Sequence, residues 1–328
     1  MHSPAAPDLE AALERAVARQ AGEAPNDAHL RWHFGFGEDA RRGKRLRSRL
    51  VLAVAEAEGA PAGTALDAAV AVELVHEFSL IHDDIEDGDR LRRGRETLWA
   101  RFGVAHGINA GDTLCAAAYL TLLERGGDPA LALAMTRTLM QAQLAMCAGQ
   151  AHDIAFESAS YVGMDAYRSM IAGKTAALFG AACALGGLAA GLDGARVEAY
   201  AALGRAYGIA FQIEDDILGA WGEVAQTGKP SGADLAKRKW SFPVVWALAG
   251  PPSADRERIA SAYAAGTPLD PAAVEAVSAA LLRLGAREAA AAAARTALAE
   301  AEAAVAAQGI DGDGRVRAFL SRAIGRAA

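Results

Sequence analysis

The sequence predicts an all-α fold, and three features of the chain lead to this prediction. Alanine and leucine dominate a chain of 328 residues that is 52% hydrophobic and only 6% aromatic, which favours helix over sheet. Pro129 is the only proline between Pro61 and Pro230, so a long central region lacks helix-breaking residues. No run of β-branched residues alternates with polar ones as in a strand. We therefore expect one helical domain over residues 1–328.

Apolar residues at helical spacing locate the individual helices. Leu9, Leu13 and Val17 share one face near the amino terminus, and Val70 and Leu74 begin a second such stripe. Segments rich in glycine and proline separate the helical stretches, and none is long enough to be an interdomain linker. The predicted helices cover residues 8–20, 70–81, 111–124, 131–157, 164–191, 195–221, 240–249 and 271–308.

Charge and cysteine content exclude several classes of protein. A net charge of −7 argues against a general nucleic-acid binder. Cys115, Cys147 and Cys183 fit no metal-ligand spacing and are typical of a reducing compartment, so we expect a cytoplasmic protein. The amino terminus has no basic segment followed by an apolar one, so we expect no signal peptide. The uncharged run 175–192 is at the short limit for a membrane span, and we expect a buried helix there, not a transmembrane segment.

Basic residues are concentrated in two short segments of this acidic chain. Six of the nine residues in 41–49 are Lys or Arg, as are four of the six in 90–95. Such clustering predicts binding of a small polyanion. The alternative interpretation of 41–49 is a nucleic-acid patch or a solvated face.

The stretch HDDIED (82–87) places acids at helical spacing. Asp83 and Asp87 are four residues apart, so on a helix they lie side by side, and His76 falls close to the same stripe. Like charges at this spacing repel each other. Mg²⁺ relieves the repulsion because it takes carboxylate oxygens, water and phosphate oxygens together. The alternatives are a solvated acidic helix end and, for His76, a histidine of the core.

A second acidic pair repeats this arrangement on an apolar stretch. Gln212, Asp215, Asp216 and Gly219 fall within about 60° of one helical face, at about 100° per residue. Two acids on a mostly buried helix are costly without a counter-ion. A metal ion is one candidate, and a structural pairing with Arg or Lys is the alternative.

Cations follow both acidic pairs. Segment 90–95 begins three residues after Asp87, and the second pair is followed by Lys229, Lys237, Arg238 and Lys239. Arg binds phosphate in a fork and Lys binds it as a point charge. Carboxylates for a metal with cations for phosphate predict a diphosphate–Mg²⁺ site, and the chain carries this set twice.

In this order the motifs resemble those of the trans-isoprenyl diphosphate synthase (polyprenyl synthetase) family. The resemblance implies the isoprenoid synthase fold, a bundle of antiparallel helices around a deep central cavity, usually in a homodimer. It places the two acidic helices opposite each other at the cavity mouth. The matching stretches are GKRLR (43–47), ELVHEFSLIHDDIED (73–87), RRGR (92–95), GQAHD (149–153), GKT (173–175), FQIEDDILG (211–219) and GKPSGADLAKRK (228–239).

The implied activity is head-to-tail prenyl transfer from an allylic diphosphate to isopentenyl diphosphate. The allylic diphosphate ionises, the double bond of isopentenyl diphosphate attacks the cation, and a proton is lost. The implied cofactor is Mg²⁺, with three ions per active site bridging to the substrate diphosphate. Cations placed at the leaving diphosphate stabilise the transition state more than the ground state.

The resemblance also assigns roles to individual residues. The implied Mg²⁺ ligands are Asp83, Asp87 and Asp215, assisted by Asp84 and Asp216. The allylic diphosphate is assigned to Arg92, Lys174, Lys229 and Lys239, and isopentenyl diphosphate to Gly43, Lys44, Arg47, His76 and Arg93. Thr175 and Gln212 are expected to face the cationic carbons and, with Arg92 and Lys174, to be catalytic; Gln150 and Asp153 line the same cavity. The alternative for Lys174 is a lysine that snorkels at a helix start.

Product length in this family depends on the depth below the first acidic motif. Phe78 lies five residues before Asp83 and beside the small Ser79, so its ring is expected to limit that depth. The pattern implies a medium chain, with geranylgeranyl diphosphate as the first choice and farnesyl diphosphate as the second.

The sequence departs from the family pattern at two places. Ser48 stands where proline is common, and Gly219 stands where the second motif usually has its last Asp. Glu223, a turn further on, is a candidate substitute for that acid. Two other functions remain open: a class I terpene cyclase, which needs no isopentenyl diphosphate pocket, and a non-catalytic subunit of a heteromeric synthase, for which Gly219 is the only support.

Overall fold

The computed structural model describes residues 8–22, 25–37, 43–61, 63–223, 231–264, 266–311 and 314–323, and nearly all of its regular structure is helical. The prediction of an all-α protein is confirmed. The helices are α1 (Leu9–Gln20), α2 (Asn26–Phe34), α3 (Leu46–Ala57), α4 (Leu66–Glu86), α5 (Leu98–Phe102), α6 (Val104–Leu123), α7 (Pro129–Glu157), α8 (Met164–Ile171), a π-helix (Ala172–Ala176), α9 (Ala177–Ala189), α10 (Gly194–Trp221), α11 (Ala233–Ala236), α12 (Phe242–Ala249), α13 (Ala254–Ala264), α14 (Pro271–Arg283), α15 (Ala286–Ala307) and α16 (Arg315–Ala323).

Most of the helix predictions are confirmed, although α4 and α6 begin before their predicted starts at 70 and 111, and one prediction needs correction. The predicted helix 271–308 is two helices, because Gly285 takes a left-handed backbone conformation with φ of 77° and starts α15. The basic segment 90–95 forms an antiparallel hairpin of two short strands, β1 (Leu91–Arg92) and β2 (Arg95–Glu96). The sequence analysis had not located α2, α3, α5, α11, α13 or α16.

Contacts group the chain into two compact units, and each is described by itself. Unit 1 comprises Met1–Gln141, Ala181–Ala201 and Ile310–Val316, and unit 2 comprises Ala142–Gly180, Ala202–Gly309 and Arg317–Ala328. The prediction of one domain over residues 1–328 stays a prediction, as does the central cavity.

Helix α4 is the central element of unit 1. It packs against α1, α3 and α6, and its side chains from Ala68 to Val75 are all buried. Near-continuous burial fits its apolar sequence, which lacks a wide polar face. The helix ends at Asp87, whose N–H still bonds to the carbonyl of Asp83, and Gly88 follows with φ of 65°. The two acids therefore lie one turn apart, as predicted.

Unit 2 has its own apolar core, built around α12. The side chains of Phe242, Val244 and Val245 on this helix are buried in a cluster with Tyr167 of α8 and Ile213 of α10. This core fixes the carboxyl-terminal half of α10, which carries the second acidic pair.

One helix segment among the described residues, Met164–Ala189, is long and apolar enough to cross a membrane by length and composition. Of its most apolar window, 72% is buried inside the protein. That burial is typical of a core helix, in agreement with the prediction for 175–192.

A buried hydrogen-bond cluster anchors a late part of the chain within unit 1. The hydroxyl of Tyr200 donates to the carboxylate of Glu58 at 2.5 Å and accepts from the backbone N–H of Asp311 at 3.0 Å. Arg196 pairs with the same carboxylate at 2.5 Å. Tyr200 is fully buried, so these polar groups have little access to water.

The variant Tyr200→Phe is expected to lower the free energy of unfolding by about 2 kcal/mol, because it removes a hydrogen bond to a charged group and leaves a buried N–H without its main partner. Urea denaturation followed by circular dichroism measures this. Tyr161→Phe is the matched control, since Tyr161 is exposed. Equal stability losses in the two variants would contradict this role of the Tyr200 hydroxyl.

Candidate active site

The first acidic motif lies at the carboxyl-terminal end of α4. Asp83 and Asp87 are half-buried, whereas Asp84 is 2% exposed. Arg92 of the hairpin approaches Asp84 as a fork, with Nε at 2.9 and 3.0 Å from its two oxygens and Nη2 at 2.7 Å. Burial raises the pKa of Asp84, and the Arg92 guanidinium opposes that rise. The structure therefore gives Asp84 a cation partner, and its predicted role as an assisting metal ligand stays a prediction.

Glu77, one turn and a half before Asp83, lies at the centre of a buried cluster of charges that the sequence analysis did not identify. Its carboxylate accepts from Arg45 Nη1 at 2.5 Å, Arg93 Nη2 at 3.2 Å and His33 Nε2 at 2.8 Å. Burial alone raises the pKa of Glu77, but Arg93, His33 and Arg45 outweigh burial and hold that pKa well below its usual range. We refer to Glu77, Arg45, Arg93 and His33 as the Glu77 cluster.

Arg45 also links this cluster to neighbouring elements. Its Nη1 lies 3.1 Å from Glu73, its Nε lies 2.9 Å from Glu10 of α1, and Ser48 donates to Glu73 at 2.5 Å. Ser48, which departs from the family's proline, thus closes a buried polar network. A proline there would have supplied no donor.

Two arginines of the predicted diphosphate-binding segments have a strained backbone. Arg45 has φ of 53° and Arg93 has φ of 54°, a left-handed conformation that costs roughly 1–2 kcal/mol in a residue with a side chain. Their pairing with the buried Glu77 holds both in place. Strain of this kind clusters at functional sites.

Gly43 lies against the guanidinium group of Arg93. A Cβ at residue 43 would lie 2.7 Å from Arg93 Nη2 and 3.0 Å from its Cζ. A side chain at residue 43 would therefore displace this guanidinium group, and the two predicted isopentenyl diphosphate residues are in contact. Lys44 beside them is exposed.

His76 is paired with Arg47, as expected for neighbours in one anion site. Arg47 Nη1 lies 3.2 Å from His76 Nε2. Burial, followed by the charges of Arg47, Arg93 and Arg92, holds the pKa of His76 well below its usual value, so the ring is neutral and accepts this hydrogen bond. Four of the predicted isopentenyl diphosphate residues thus form two contacting pairs in unit 1, Gly43 with Arg93 and Arg47 with His76, and the charge of Arg93 acts on His76.

Phe78 lies below the acidic motif, as the sequence predicts. It is buried and meets the ring of His82 edge-on, with 5.5 Å between centroids. His82 in turn packs on α6 at Gly111, where a Cβ would lie 2.5 Å from His82 Cδ2. Ser79 donates to the carbonyl of His76 at 2.7 Å.

In unit 2 the predicted residues Lys174 and Thr175 lie in a π-helix between α8 and α9. Lys174 Nζ donates to the carboxylate of Asp153 on α7. The two helices touch through glycines: a Cβ at Gly149 would lie 2.8 Å from the carbonyl carbon of Gly173, and one at Gly173 would lie 2.6 Å from the carbonyl oxygen of Ala145. Single-turn π-helices are frequent at functional sites.

A chain of hydrogen bonds joins the π-helix to the second acidic pair. The Thr175 hydroxyl donates to Gln212 Oε1 at 2.6 Å, and Gln212 Nε2 donates to Asp216 at 2.9 Å. Asp216 also accepts from the Tyr167 hydroxyl at 2.6 Å and from the N–H of Phe242 at 2.7 Å. Burial raises the pKa of Asp216 to about 7 against the effect of these donors.

Asp216 therefore has a structural role: it receives the first N–H of α12 and fixes Gln212. Its predicted assistance to a metal ion stays a prediction. For Asp216 the expected alternative, a pairing with Arg or Lys, is replaced by neutral donors. These donors could not be predicted from the sequence, because Tyr167 lies 49 positions away.

Around Gly219 one expectation is confirmed and another is not supported. Helix α10 continues through Gly219 to Trp221, as the predicted helix 195–221 implies. Glu223 lies beyond the helix end and is exposed, so it does not share the face of Asp215. The acid that adjoins Gly219 is Asp234 of α11: a Cβ at residue 219 would lie 2.5 Å from its Cγ.

The remaining predicted cations divide between described and undescribed parts of the chain. Lys239 follows α11, and its N–H bonds to the carbonyl of Asp234 at 2.9 Å. Lys229 lies outside the described residues. Gln150 and Asp153 both lie on α7, one turn from Gly149 or closer.

The predicted metal ligands have the chemistry that a divalent cation prefers. Asp83 and Asp87 in unit 1, and Asp215 in unit 2, carry carboxylate oxygens, which hard cations prefer. Over the described ranges no group of three or more His, Cys, Asp or Glu side chains lies close enough to enclose a metal ion. Mg²⁺ suits such an open set, because it usually keeps waters and takes phosphate oxygens alongside one or two carboxylates.

Comparison with known proteins decides the family. The family model described as polyprenyl synthetase matches residues 39–281. The chain belongs to the polyprenyl synthetase family. Within it, the chain is 45% identical over 222 residues to a geranylgeranyl diphosphate synthase of Mycobacterium tuberculosis, which covers 67% of this chain and 63% of the relative. It is 42% identical over 240 residues to a (2E,6E)-farnesyl diphosphate synthase of the same organism, which covers 70% and 66%. The matches thus span less than two thirds of each relative.

Solved structures confirm the fold. A polyprenyl synthetase from Streptomyces coelicolor A3(2) has a TM-score of 0.89 and 35% identity, with 96% of both chains covered. A geranylgeranyl pyrophosphate synthase from Corynebacterium glutamicum, solved with isoprenyl diphosphate and magnesium, has a TM-score of 0.84 and 25% identity, with 97% of both chains covered. The all-α isoprenoid synthase fold is therefore that of this polyprenyl synthetase.

The variant Gly149→Ala is expected to lower the free energy of unfolding by about 1–3 kcal/mol, because the new methyl group meets the backbone of the π-helix, which has no room to move away. Thermal and urea denaturation measure this. Gly194→Ala is the matched control, since a Cβ there meets open space at the start of α10. A Gly149→Ala protein as stable as that control would contradict the close approach.

Proposed function

We propose that this polyprenyl synthetase condenses isopentenyl diphosphate head-to-tail with an allylic diphosphate to give an all-trans prenyl diphosphate. The observation that carries the proposal is the cluster of Gly43, Arg47, His76 and Arg93 beside the carboxylates of α4. A cyclase of related fold needs no pocket for a second diphosphate, so it would have no use for this cluster. A non-catalytic subunit would not be expected to keep it.

The proposed isopentenyl diphosphate subsite includes two cations, Arg93 and Arg47, that neighbouring side chains already orient. Glu77 neutralises part of the charge of Arg93. The N–H donors of Arg93 that do not bond to Glu77 remain available to phosphate. Neutral His76 accepts from Arg47 and directs that guanidinium. Lys44 adds an exposed ammonium group. Such a site attracts the diphosphate without first having to reorient its own charged groups.

The allylic diphosphate is assigned to Arg92, Lys174, Lys229 and Lys239. Arg92 is oriented by Asp84, and Lys174 by Asp153. Both cations are thus fixed before substrate arrives and favour the charge that develops on the leaving oxygen as the allylic C–O bond breaks. Mg²⁺, held by Asp83, Asp87 and Asp215 with three ions per site as the proposed number, supplies Lewis-acid stabilisation of that diphosphate when bound.

Thr175 and Gln212 are proposed to face the carbocation. The Thr175 hydroxyl donates to Gln212, so the lone pairs of the Thr175 oxygen remain available to a positive centre. Attack by the double bond of isopentenyl diphosphate forms the new C–C bond, and loss of one proton restores a double bond. Asp216 holds Gln212 in this orientation from the buried side of α10.

One assay tests the function. Purified protein with Mg²⁺ is incubated with isopentenyl diphosphate and each allylic diphosphate in turn, and the products are analysed by mass spectrometry. Elongated diphosphates that disappear in the Asp83→Asn variant are expected. Cyclic hydrocarbons would favour the cyclase, and no turnover would favour the subunit, so either result overturns the proposal.

The product is proposed to be geranylgeranyl diphosphate, with farnesyl diphosphate as the second choice. Phe78 lies five residues before Asp83 on α4, about 7.5 Å further along the helix axis at about 1.5 Å per residue. Its buried ring is held edge-on by His82. A ring fixed in this way closes the space into which the growing chain extends.

The variant Phe78→Ala is expected to shift the product distribution by at least one isoprene unit towards longer chains, because it removes the ring at the bottom of that space. Product analysis by reversed-phase chromatography measures the shift. Phe78→Tyr keeps the ring and is expected to leave chain length unchanged. An unchanged distribution in Phe78→Ala would show that depth is limited elsewhere.

The protein is further proposed to be a homodimer. Helix α7 exposes a row of apolar side chains: Leu133, Met140, Leu144, Cys147, Ala151 and Ile154. From Met140 onwards these residues follow each other at intervals of four and three in turn. This spacing forms a continuous apolar seam suited to packing against another helix. Leu144 is 71% exposed, and α6 exposes Val104, Ile108, Leu120 and Leu123 as well.

No nucleic-acid or membrane partner is proposed, and the cytoplasm is the proposed location.

The variant Leu144→Glu is expected to give monomers at micromolar concentration, because it buries a charge in the proposed interface. Sedimentation velocity measures the state of association. Leu282→Glu, on the exposed surface of α14, is expected to leave the dimer intact. A monomeric parent protein would contradict the homodimer outright.

A further inference from the structure

The carboxylate of Asp234 fills the space beside Gly219. A Cβ built on Gly219 would lie 2.5 Å from Asp234 Cγ and 3.1 Å from its Cβ, and nearer still to Oδ2. Asp234 lies in the first turn of α11, 15 residues further along the chain. The three atoms nearest to that position all belong to the Asp234 side chain.

The backbone at Gly219 gives no separate reason for a glycine. Gly219 lies inside α10 and is not among the residues with positive φ. A glycine inside a helix costs about 1 kcal/mol relative to alanine. The Asp234 carboxylate is therefore the group that a side chain at residue 219 would have to displace.

Asp234 differs from Asp216 in how its charge is satisfied. Asp216 accepts from three protein donors. Asp234 is half-buried, and over the described residues no donor or cation bonds to its side chain. A partly desolvated carboxylate beside another acid is the arrangement that a bound cation relieves.

We propose that Asp234 supplies, from α11, the carboxylate that the second acidic motif lacks at Gly219, and that it acts with Asp215 on the same divalent metal ion. Residues 215 and 219 are one turn apart, which places their Cβ positions about 5–6 Å from each other on one face. The Asp234 carboxylate occupies the second of these positions. It therefore lies where an aspartate at 219 would direct its oxygens, within reach of the metal directly or through water.

This proposal rests on the proposed function, and it changes what a substitution at 219 does. An aspartate added at Gly219 collides with Asp234 and repels it, so the single variant is expected to bind metal no better than the parent. To place the carboxylate at residue 219 without this collision, two changes are required, Gly219→Asp together with Asp234→Ala. The two sites share one volume, so their effects are not additive.

The test measures metal binding without turnover. Free Mn²⁺ is titrated by electron paramagnetic resonance against the full-length protein in the presence of inorganic diphosphate, which has no carbon chain to transfer. Asp234→Ala is expected to weaken Mn²⁺ binding roughly tenfold, the low end of the effect of removing a carboxylate that supports a metal. Gly219→Asp/Asp234→Ala is expected to recover most of that loss, whereas Gly219→Asp alone is not expected to tighten binding.

Controls separate the possible failures. Glu275→Gln removes one exposed charge from α14 in the same unit and is expected to bind Mn²⁺ like the parent. Asp234→Asn keeps the shape of the side chain, and its thermal unfolding shows whether the fold is intact if Asp234→Ala is unstable. Parent-like Mn²⁺ binding by Asp234→Asn, or tighter binding by Gly219→Asp alone, overturns the inference. A parent protein that binds no Mn²⁺ with diphosphate overturns the proposed function instead.

Discussion

The burial of Glu77 is the constraint on which the first half of the candidate site depends. Its carboxylate draws together Arg45 from the start of α3, Arg93 from the hairpin and His33 from α2. Without this anion, two arginines would have to stay close together and strained in a left-handed conformation with nothing to offset the cost. Arg45 and Arg93 are thus both held by one buried anion, Glu77.

The second half of the candidate site, in unit 2, depends on close contact between the backbones of its helices. Gly149 and Gly173 bring α7 into contact with the π-helix, and Gly208 does the same for α10, since a Cβ there would lie 3.0 Å from the Cβ of Ala176. Side chains that share such a contact have little freedom to reorient, so Thr175 and Gln212 meet at hydrogen-bond distance. Small residues fix this geometry, whereas charges fix that of unit 1.

The sequence predicted the parts of this arrangement that are local. Helical periodicity located α1, α4, α7 and α10, and a spacing of four placed Asp83 beside Asp87. Periodicity missed the break at Gly285, because the alanine-rich run on both sides is helical in either case. Periodicity also did not predict which acid of each pair is buried, since burial depends on which face of the helix packs against its neighbours.

Contacts between distant positions were out of reach for the same reason. Nothing near Asp216 signals Tyr167, and nothing near Gly219 signals Asp234, because each partner is placed by packing of another element. Glu77 gave a weak signal that was not used: an acid in a stretch of α4 that otherwise reads as core. A charged residue in an apolar helix interior is a reason to look for a paired cation.

The anchor at Tyr200 has a consequence for how the protein is made. It ties Glu58 to Asp311, 253 positions apart, so unit 1 draws on both early and very late parts of the polypeptide. Contacts of such long range close slowly, and a ribosome adds only about 5–20 residues per second. Unit 1, which carries His76, Glu77 and Arg93, can therefore be completed only after residue 311 has been synthesised.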